Sequence, residues 1–262
     1  MGGTWMITGG LGGLGLQAAA LLASNGGEEL VLSSRSGRVA YDGQGLRLML
    51  DSLGSTGVVV ASDCSDPMQV AAQLNMAVSV RGVLHSSGVV DDHRLFRLNA
   101  SSVCKVFAPK AVAATHLHAA CSDKAIEALV PYSSGAATFG SIGQVTYAAA
   151  NSMLDSFSVC RNGAGLVAAA LQPSNVGEVG MAQAANEAGK HHRMWSLSLE
   201  EYVACLGGLL VGGIGIHLPI PKKVMFASGS PTQQQEQLPS CGSNATAQSR
   251  LASGVNHSCH VD

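Results

Sequence analysis

The sequence is short of charge and of aromatic side chains, the two features that most often mark a nucleic-acid or membrane-surface binder. Charged residues make up 12% of its 262 positions and aromatic ones 4%, with a formal net charge of −2. That balance gives no electrostatic reason to expect nucleic acid or an anionic membrane as partner. Long apolar runs are also missing. The longest, from Val203 to Ile216, holds five glycines and is too short to span a bilayer. It reads instead as a helix end followed by a buried strand. No CxxC pair occurs among the seven cysteines, which lie scattered from Cys64 to Cys259. An odd count without metal-ligand spacing reads as reduced thiols in an intracellular protein. Met1-Gly2-Gly3 leads straight into an apolar segment, so no signal peptide is expected. The sequons at Asn244 and Asn256 are accordingly read as chance. A cytoplasmic location is expected, with a plastid left open. His116, His118 and the pair His191-His192 lack companions at ligand spacing, so no metal is expected.

What the chain has in quantity is glycine, 32 residues, within a composition that is 47% apolar. Small residues let helices sit close to strands, and the length suits one α/β domain. Short apolar runs alternate with helical patterns: strands at Thr4–Thr8, Glu29–Ser34, Gly57–Ala61, Gly82–His85, Ala125–Tyr132 and Leu166–Leu171. Helices are predicted between them at about Gly13–Ser24, Gly43–Leu53, Pro67–Val78, Ser101–Cys121 and Gln144–Arg161. Such alternation predicts parallel βαβ units in a doubly wound, Rossmann-like sheet of about seven strands with helices on both faces. Asn175 to Ser198 loosens into what reads as a lid. Ser198-x-x-Glu201 resembles a capping box that starts a further helix, and a last strand is expected near residues 224–226. From Ser228 the composition turns to Ser, Gln, Asn, Gly and Ala with a QQQEQ tract. Residues 1–227 are therefore read as the catalytic domain and 228–262 as a flexible tail or linker.

Between the first strand and first helix stands Thr8-Gly9-Gly10-Leu11-Gly12-Gly13-Leu14-Gly15. Glycine there lets the backbone turn tightly and approach a pyrophosphate, and the helix N-terminus faces the negative charge. The position after a strand and before a helix favours dinucleotide binding over a merely structural turn. Thr8, Gly9, Gly10, Gly12, Leu14 and Gly15 are the candidate contacts. The second strand ends in Ser33-Ser34-Arg35-Ser36, with no Asp or Glu for a ribose hydroxyl. Ser34 and Arg35 are placed to receive a 2′-phosphate, so NADPH is the expected cofactor, against Arg35 as an ordinary surface residue. Asp63, past the third strand, is placed to accept a hydrogen bond from an adenine amino group. Ser86, Ser87 and Gly88 follow the fourth strand along the same edge. Each is equally suited to capping its own loop.

Reduction of a ketone by such a cofactor needs a proton donor at the carbonyl oxygen. Tyr147 is the candidate, at the start of the helix after the fifth strand, and Asn151 lies one turn beyond on the same face. Ser134 stands at the close of the fifth strand and Lys110 in the preceding long helix. With these residues the chain resembles a short-chain dehydrogenase/reductase, and more narrowly the ketoreductase domains of polyketide synthases and animal fatty-acid synthase. Those domains exchange the usual Lys and Asn positions, as Lys110 upstream and Asn151 after the tyrosine do here. Leu32–Gly37, Tyr147-Ala-Ala-Ala-Asn151 and Gly177-Glu-Val-Gly-Met181 extend the match over roughly residues 4 to 226.

The resemblance implies that Tyr147 protonates the nascent alkoxide and Ser134 polarises the carbonyl. It implies that Lys110 lowers the phenol pKa and that Asn151 holds a water or orients Lys110. The substrate it implies is a β-keto acyl thioester carried on an acyl carrier protein or by neighbouring synthase domains. Val90-Asp91-Asp92 is similar to the Leu-Asp-Asp of B-type ketoreductases, which make D-configured alcohols. Phe139 stands where A-type domains have Trp, eight residues before Tyr147. Asp92 is thus the stereocontrol candidate, against a solvated acidic loop.

Three departures qualify the match: Pro173-Ser174 in place of Trp-Gly, Ser86-Ser87 in place of two alanines, and no preceding structural subdomain. They leave two alternatives open, a non-catalytic scaffold half of a synthase and a free-standing reductase of small ketones.

Overall fold

In the computed structural model the described residues are 2–77, 79–187, 196–212 and 215–219. The strand expected at 224–226, the tail from Ser228, His191-His192 and both sequons lie outside them. Five strands form one parallel sheet: β1 (Thr4–Thr8), β2 (Glu29–Ser34), β3 (Gly57–Ala61), β4 (Val80–His85) and β5 (Ala128–Pro131). Their order is β3-β2-β1-β4-β5. The chain thus winds outward from β1 to β3, then returns to lay β4 on the other side of β1. A parallel bridge between Tyr132 and Leu171 adds β6 (Ala169–Leu171), which pairs in turn with β9 (Gly215–His217). Seven strands result.

Parallel strands bury both faces, and β1 shows why the sequence complies. Its successive side chains Met6 and Ile7 point to opposite sides of the sheet. Met6 packs with Val70, Leu74, Val83, Leu117 and Leu129. Ile7 packs with Leu16, Leu22, Leu32, Tyr202 and Leu206 on the other side. Helices α1 (Gly13–Ser24) and α9 (Leu199–Gly212) cover the second face. Helices α3 (Pro67–Met76), started by the Asp66 cap, and α5 (Ala113–Ala120) cover the first.

Several predicted elements change form. The helix expected over Gly43–Leu53 is shorter, α2 at Leu46–Ser52, because Gly43 and Gly45 both take positive φ. The long helix expected at Ser101–Cys121 is α4 (Ala100–Phe107), a π turn (Ala108–Val112) and α5. Pro109 has no N–H to give, and the ladder widens around it. A short helix not expected from the sequence, α6 (Gly135–Phe139), precedes α7 (Val145–Gly163). Ser134 therefore caps α6 and does not close β5. In the segment expected to be a lid, among the described residues β7 (Asn175–Val176) pairs with β8 (Ser196–Leu197), and α8 spans Gly180–Glu187. Gln44 clamps the start of α8, its side chain bonding both the N–H and the carbonyl of Gly180. The capping box forms as expected, with Ser198 and Glu201 bonding each other's N–H. The strand after α9 comes at Gly215–His217, where Ile216 is 47% exposed, so it is not the buried strand expected. Among the described residues, no helix is long and apolar enough to cross a membrane.

One buried polar chain ties α9 to the sheet. Tyr202 donates to the Leu14 carbonyl (2.9 Å), so its hydroxyl accepts from Tyr132 (2.7 Å) at the end of β5. Tyr202→Phe leaves both partners unsatisfied in the interior. It should lower the unfolding free energy by about 2 kcal/mol, measured by urea denaturation; an unchanged midpoint would show that the chain contributes nothing.

Candidate active site

The strand order reverses between β1 and β4, and open α/β sheets bind ligands in the crevice outside that point. In register there stand Thr8 and His85. The turn leaving β1 lies directly against the turn leaving β4. Gly9 takes φ +69°, and a Cβ on it would fall 2.6 Å from the Ser87 nitrogen and 2.8 Å from the Ser86 carbonyl. Only glycine fits, and the backbone is left bare at the carboxyl edge of the sheet, ahead of α1. That is the cradle a dinucleotide pyrophosphate requires.

The other candidate cofactor contacts divide. Arg35 is exposed at the end of β2, and its field reaches Cys64 beside Asp63. The Ser34 hydroxyl is spent on the Arg38 carbonyl at 3.3 Å. One carboxylate oxygen of Asp63, Oδ1, accepts from the Ser65 N–H and hydroxyl, which is the loop-capping use. The Ser86 hydroxyl donates to the Thr8 carbonyl at 2.8 Å. Ser87 lies close enough to Cys64 to act on its thiol. Of the two serines that replace alanines, Ser86 is thus satisfied within the protein. Ser174 lies against the start of α6, where its hydroxyl would stand 3.3 Å from a Cβ on Gly135.

The four catalytic candidates come from three pieces of chain, the π turn, the cap of α6 and the start of α7, and meet. Tyr147 and Asn151 project from the first turns of α7, and Asn151 Nδ2 donates to the Tyr147 carbonyl at 2.8 Å. The Asn151 Oδ1 is buried with no hydrogen-bond partner among the described residues. Ser134, at the cap of α6, lies close enough to the Tyr147 phenol to act on its pKa. Lys110 is 3% exposed, and its Nζ donates to the Tyr132 carbonyl (2.9 Å) while standing 5.3 Å from the Tyr147 ring centroid. Gly88 makes room for it, since a Cβ there would fall 2.8 Å from Lys110 Cε.

Burial shapes the electrostatics. It pushes Lys110 down to about 7, opposed by the field of Asp155. It raises the Tyr147 phenol, against the lowering hydrogen bonds of Asn151 and Ser134, and the Asp92 carboxylate raises it further. The lowering of the phenol expected from Lys110 is therefore not present: desolvation dominates.

Asp155 is the residue the sequence reading missed. It is 8% exposed and lies two turns beyond Tyr147 on the same face of α7. Its Oδ2 accepts from Gln172 Nε2 at 2.8 Å, and Gln172 accepts in turn from Thr138 on α6. The spacing 147, 151, 155 was the available signal. Asp91 and Asp92 part company: Asp91 pairs with Lys105 and His93, while Asp92 is exposed toward the site. A backbone bond from His93 to Gly143 (2.9 Å) docks that loop beside the start of α7. Among the described residues no cluster of three metal-ligating side chains occurs.

The fold is that of the short-chain dehydrogenase/reductases. One such enzyme from Burkholderia phymatum, solved in complex with NAD, superposes with a TM-score of 0.68 over 83% of this chain and 89% of its own, at 20% identity. Residues 3–178 match the family model of the KR domain. The chain belongs to that family, the ketoreductases of polyketide synthases. A mycocerosic acid synthase-like polyketide synthase of Mycobacterium tuberculosis is 38% identical over 184 residues, which is 69% of this chain and 9% of that protein. A structure of A-type ketoreductases from a modular polyketide synthase is 34% identical with a TM-score of 0.77, over 84% of this chain and 48% of its own. The chain thus spans about a tenth of the curated relative and about half of that neighbour.

A Cβ at Gly9 should be intolerable, whereas Gly43, also at positive φ, has open space around it. Gly9→Ala is expected to weaken dinucleotide binding by roughly tenfold or more, and Gly43→Ala to leave it within about twofold. Calorimetric titration checks this; equal affinities for the two variants would dissociate the turn from nucleotide binding.

Proposed function

We propose that this chain reduces a β-keto acyl thioester to the β-hydroxy thioester with NADPH, acting on a carrier-bound chain within or beside a polyketide or fatty-acid synthase. The observation that carries the reading is the convergence of Tyr147, Ser134, Lys110 and Asn151 at the carboxyl edge of β4 and β5, next to the Gly9 cradle. NADPH, when bound, supplies the hydride. Thr8, Gly9, Gly10, Gly12, Leu14 and Gly15 would hold its pyrophosphate, Ser87 and Gly88 its central part, and Arg35 a 2′-phosphate.

The residues of this chain supply the rest. Ser134 donates toward the carbonyl oxygen and polarises it. The phenol of Tyr147, kept protonated by burial, gives its proton to that oxygen as charge develops. Lys110, near 7, is poised to replace that proton, and its cation over the ring favours the tyrosinate left behind. The buried Asn151 Oδ1 offers an acceptor on the relay. Exposed Phe139, Ile142 and Val145, with Leu95 and Phe96 on the loop joined at Gly143, flank the approach with apolar surface suited to an acyl chain. Asp92, near enough to act on the phenol, supports B-type facial selection and a D-configured product.

The test is oxidation of NADPH by the protein with a β-keto acyl thioester, with chiral analysis of the product. Tyr147→Phe should cut turnover by about a hundredfold or more and leave NADPH affinity nearly intact. NADPH should bind more tightly than NADH, a preference that Arg35→Ala removes. Undiminished turnover in the Tyr147→Phe variant would reject the assigned acid. Failure of the native chain to bind NADPH would favour a non-catalytic scaffold, and a free ketone reduced as well as the thioester would favour a free-standing reductase.

A further inference from the structure

The catalytic lysine is held at two ends, and the mechanism above uses only one. Its ammonium bonds the Tyr132 carbonyl, but its own backbone carbonyl lies in the π turn, where the Ala113 N–H reaches back to both Ala108 and Lys110. The Lys110 carbonyl has a second partner on the sheet. His85, the last residue of β4 and fully buried, places Nε2 3.0 Å from it. Its Nδ1 stands 2.6 Å from the hydroxyl of Thr8, the last residue of β1.

A carbonyl can only accept, so Nε2 carries the ring proton, and Nδ1 must then accept from Thr8. Burial pushes the imidazole down to about 4, against the bond to the Lys110 carbonyl, which raises it, and with the Lys110 charge, which lowers it. At neutral pH the ring is therefore a neutral bridge of fixed tautomer. The bridge runs from the first residue of the glycine-rich turn to the widened turn that carries Lys110.

We propose that His85 is a positioning residue, whose imidazole anchors the Lys110 backbone to the end of β1 and so sets where the ammonium meets the Tyr147 ring. This rests on the catalytic reading above. It explains how a lysine on an irregular turn is held in place: Thr8 fixes the ring, the ring fixes the carbonyl, and Gly88 lets the side chain lie flat toward Tyr147.

Two measurements test it, and the first needs neither cofactor nor activity. Nitrogen-15 NMR of the full chain should show His85 as the Nε2–H tautomer, titrating at about 4. An Nδ1–H tautomer, or a midpoint at the ordinary 6.5, overturns the bridge. The second compares variants in the thioester assay. His85→Gln, whose amide N–H can reach the Lys110 carbonyl, should keep kcat within roughly fivefold of native. His85→Phe fills the space without the bond and should lose roughly thirtyfold or more in kcat, with the NADPH Kd within about threefold. Its pH profile should also move, while that of His85→Gln does not. If His85→Phe does not fold, the shorter His85→Asn replaces it with the same expectation. Equal loss in the Gln and the bond-free variant, or no loss in either, overturns the proposal. A native chain inactive on thioesters would instead sink the catalytic reading and leave the tautomer result to decide the bridge.

Discussion

A lysine with almost no solvent access is costly to bury, and the architecture around Lys110 is organised to offset that cost. The ammonium donates to one carbonyl, at the end of β5, and lies over the face of an aromatic ring. A carboxylate, Asp155, stands within its electrostatic reach and is itself held by Gln172. Glycine at position 88 leaves the aliphatic stem its path. Strand order, the π turn and the α6–α7 pair each supply one wall of this pocket. Remove any of them and a buried charge loses its compensation.

Two of the departures from the family pattern lie beside the glycine-rich turn. Ser86, where alanine is usual, donates its hydroxyl to the Thr8 carbonyl, and Ser87 lies close enough to Cys64 to act on its thiol. The third places the Ser174 hydroxyl near Gly135 at the start of α6.

The sheet was legible in the sequence because each strand is a short apolar run between turn signals, and the glycine-rich turn because it stands between the first strand and the first helix. Tyr147, Ser134, Lys110 and Asn151 stood out as candidates by type and spacing, with the family resemblance pointing to which lysine, and the structure brings them together. What escaped was set by tertiary context. The π turn follows from Pro109 meeting a helix that packs on both sides, which no local pattern announces. Helix α6 is only five residues long and depends on the Ser134 cap. Asp155 sat at the right interval from Tyr147, but an acid on a helix reads as surface until the neighbouring elements are known to bury it. His85 was legible as the last residue of the fourth strand, but its bridge from Thr8 to the Lys110 carbonyl depends on register and tertiary packing that no local pattern shows.

The site depends on Lys110 being desolvated, with its ammonium over the Tyr147 ring and its pKa pushed down to about 7. The most direct measurement is the titration of its side chain, followed by the 13Cε chemical shift in this 262-residue chain with the lysine assigned by substitution. A midpoint at about 7 is the expected result. A midpoint at the ordinary value of 10.5 would mean a solvated ammonium, and the site described here would not exist.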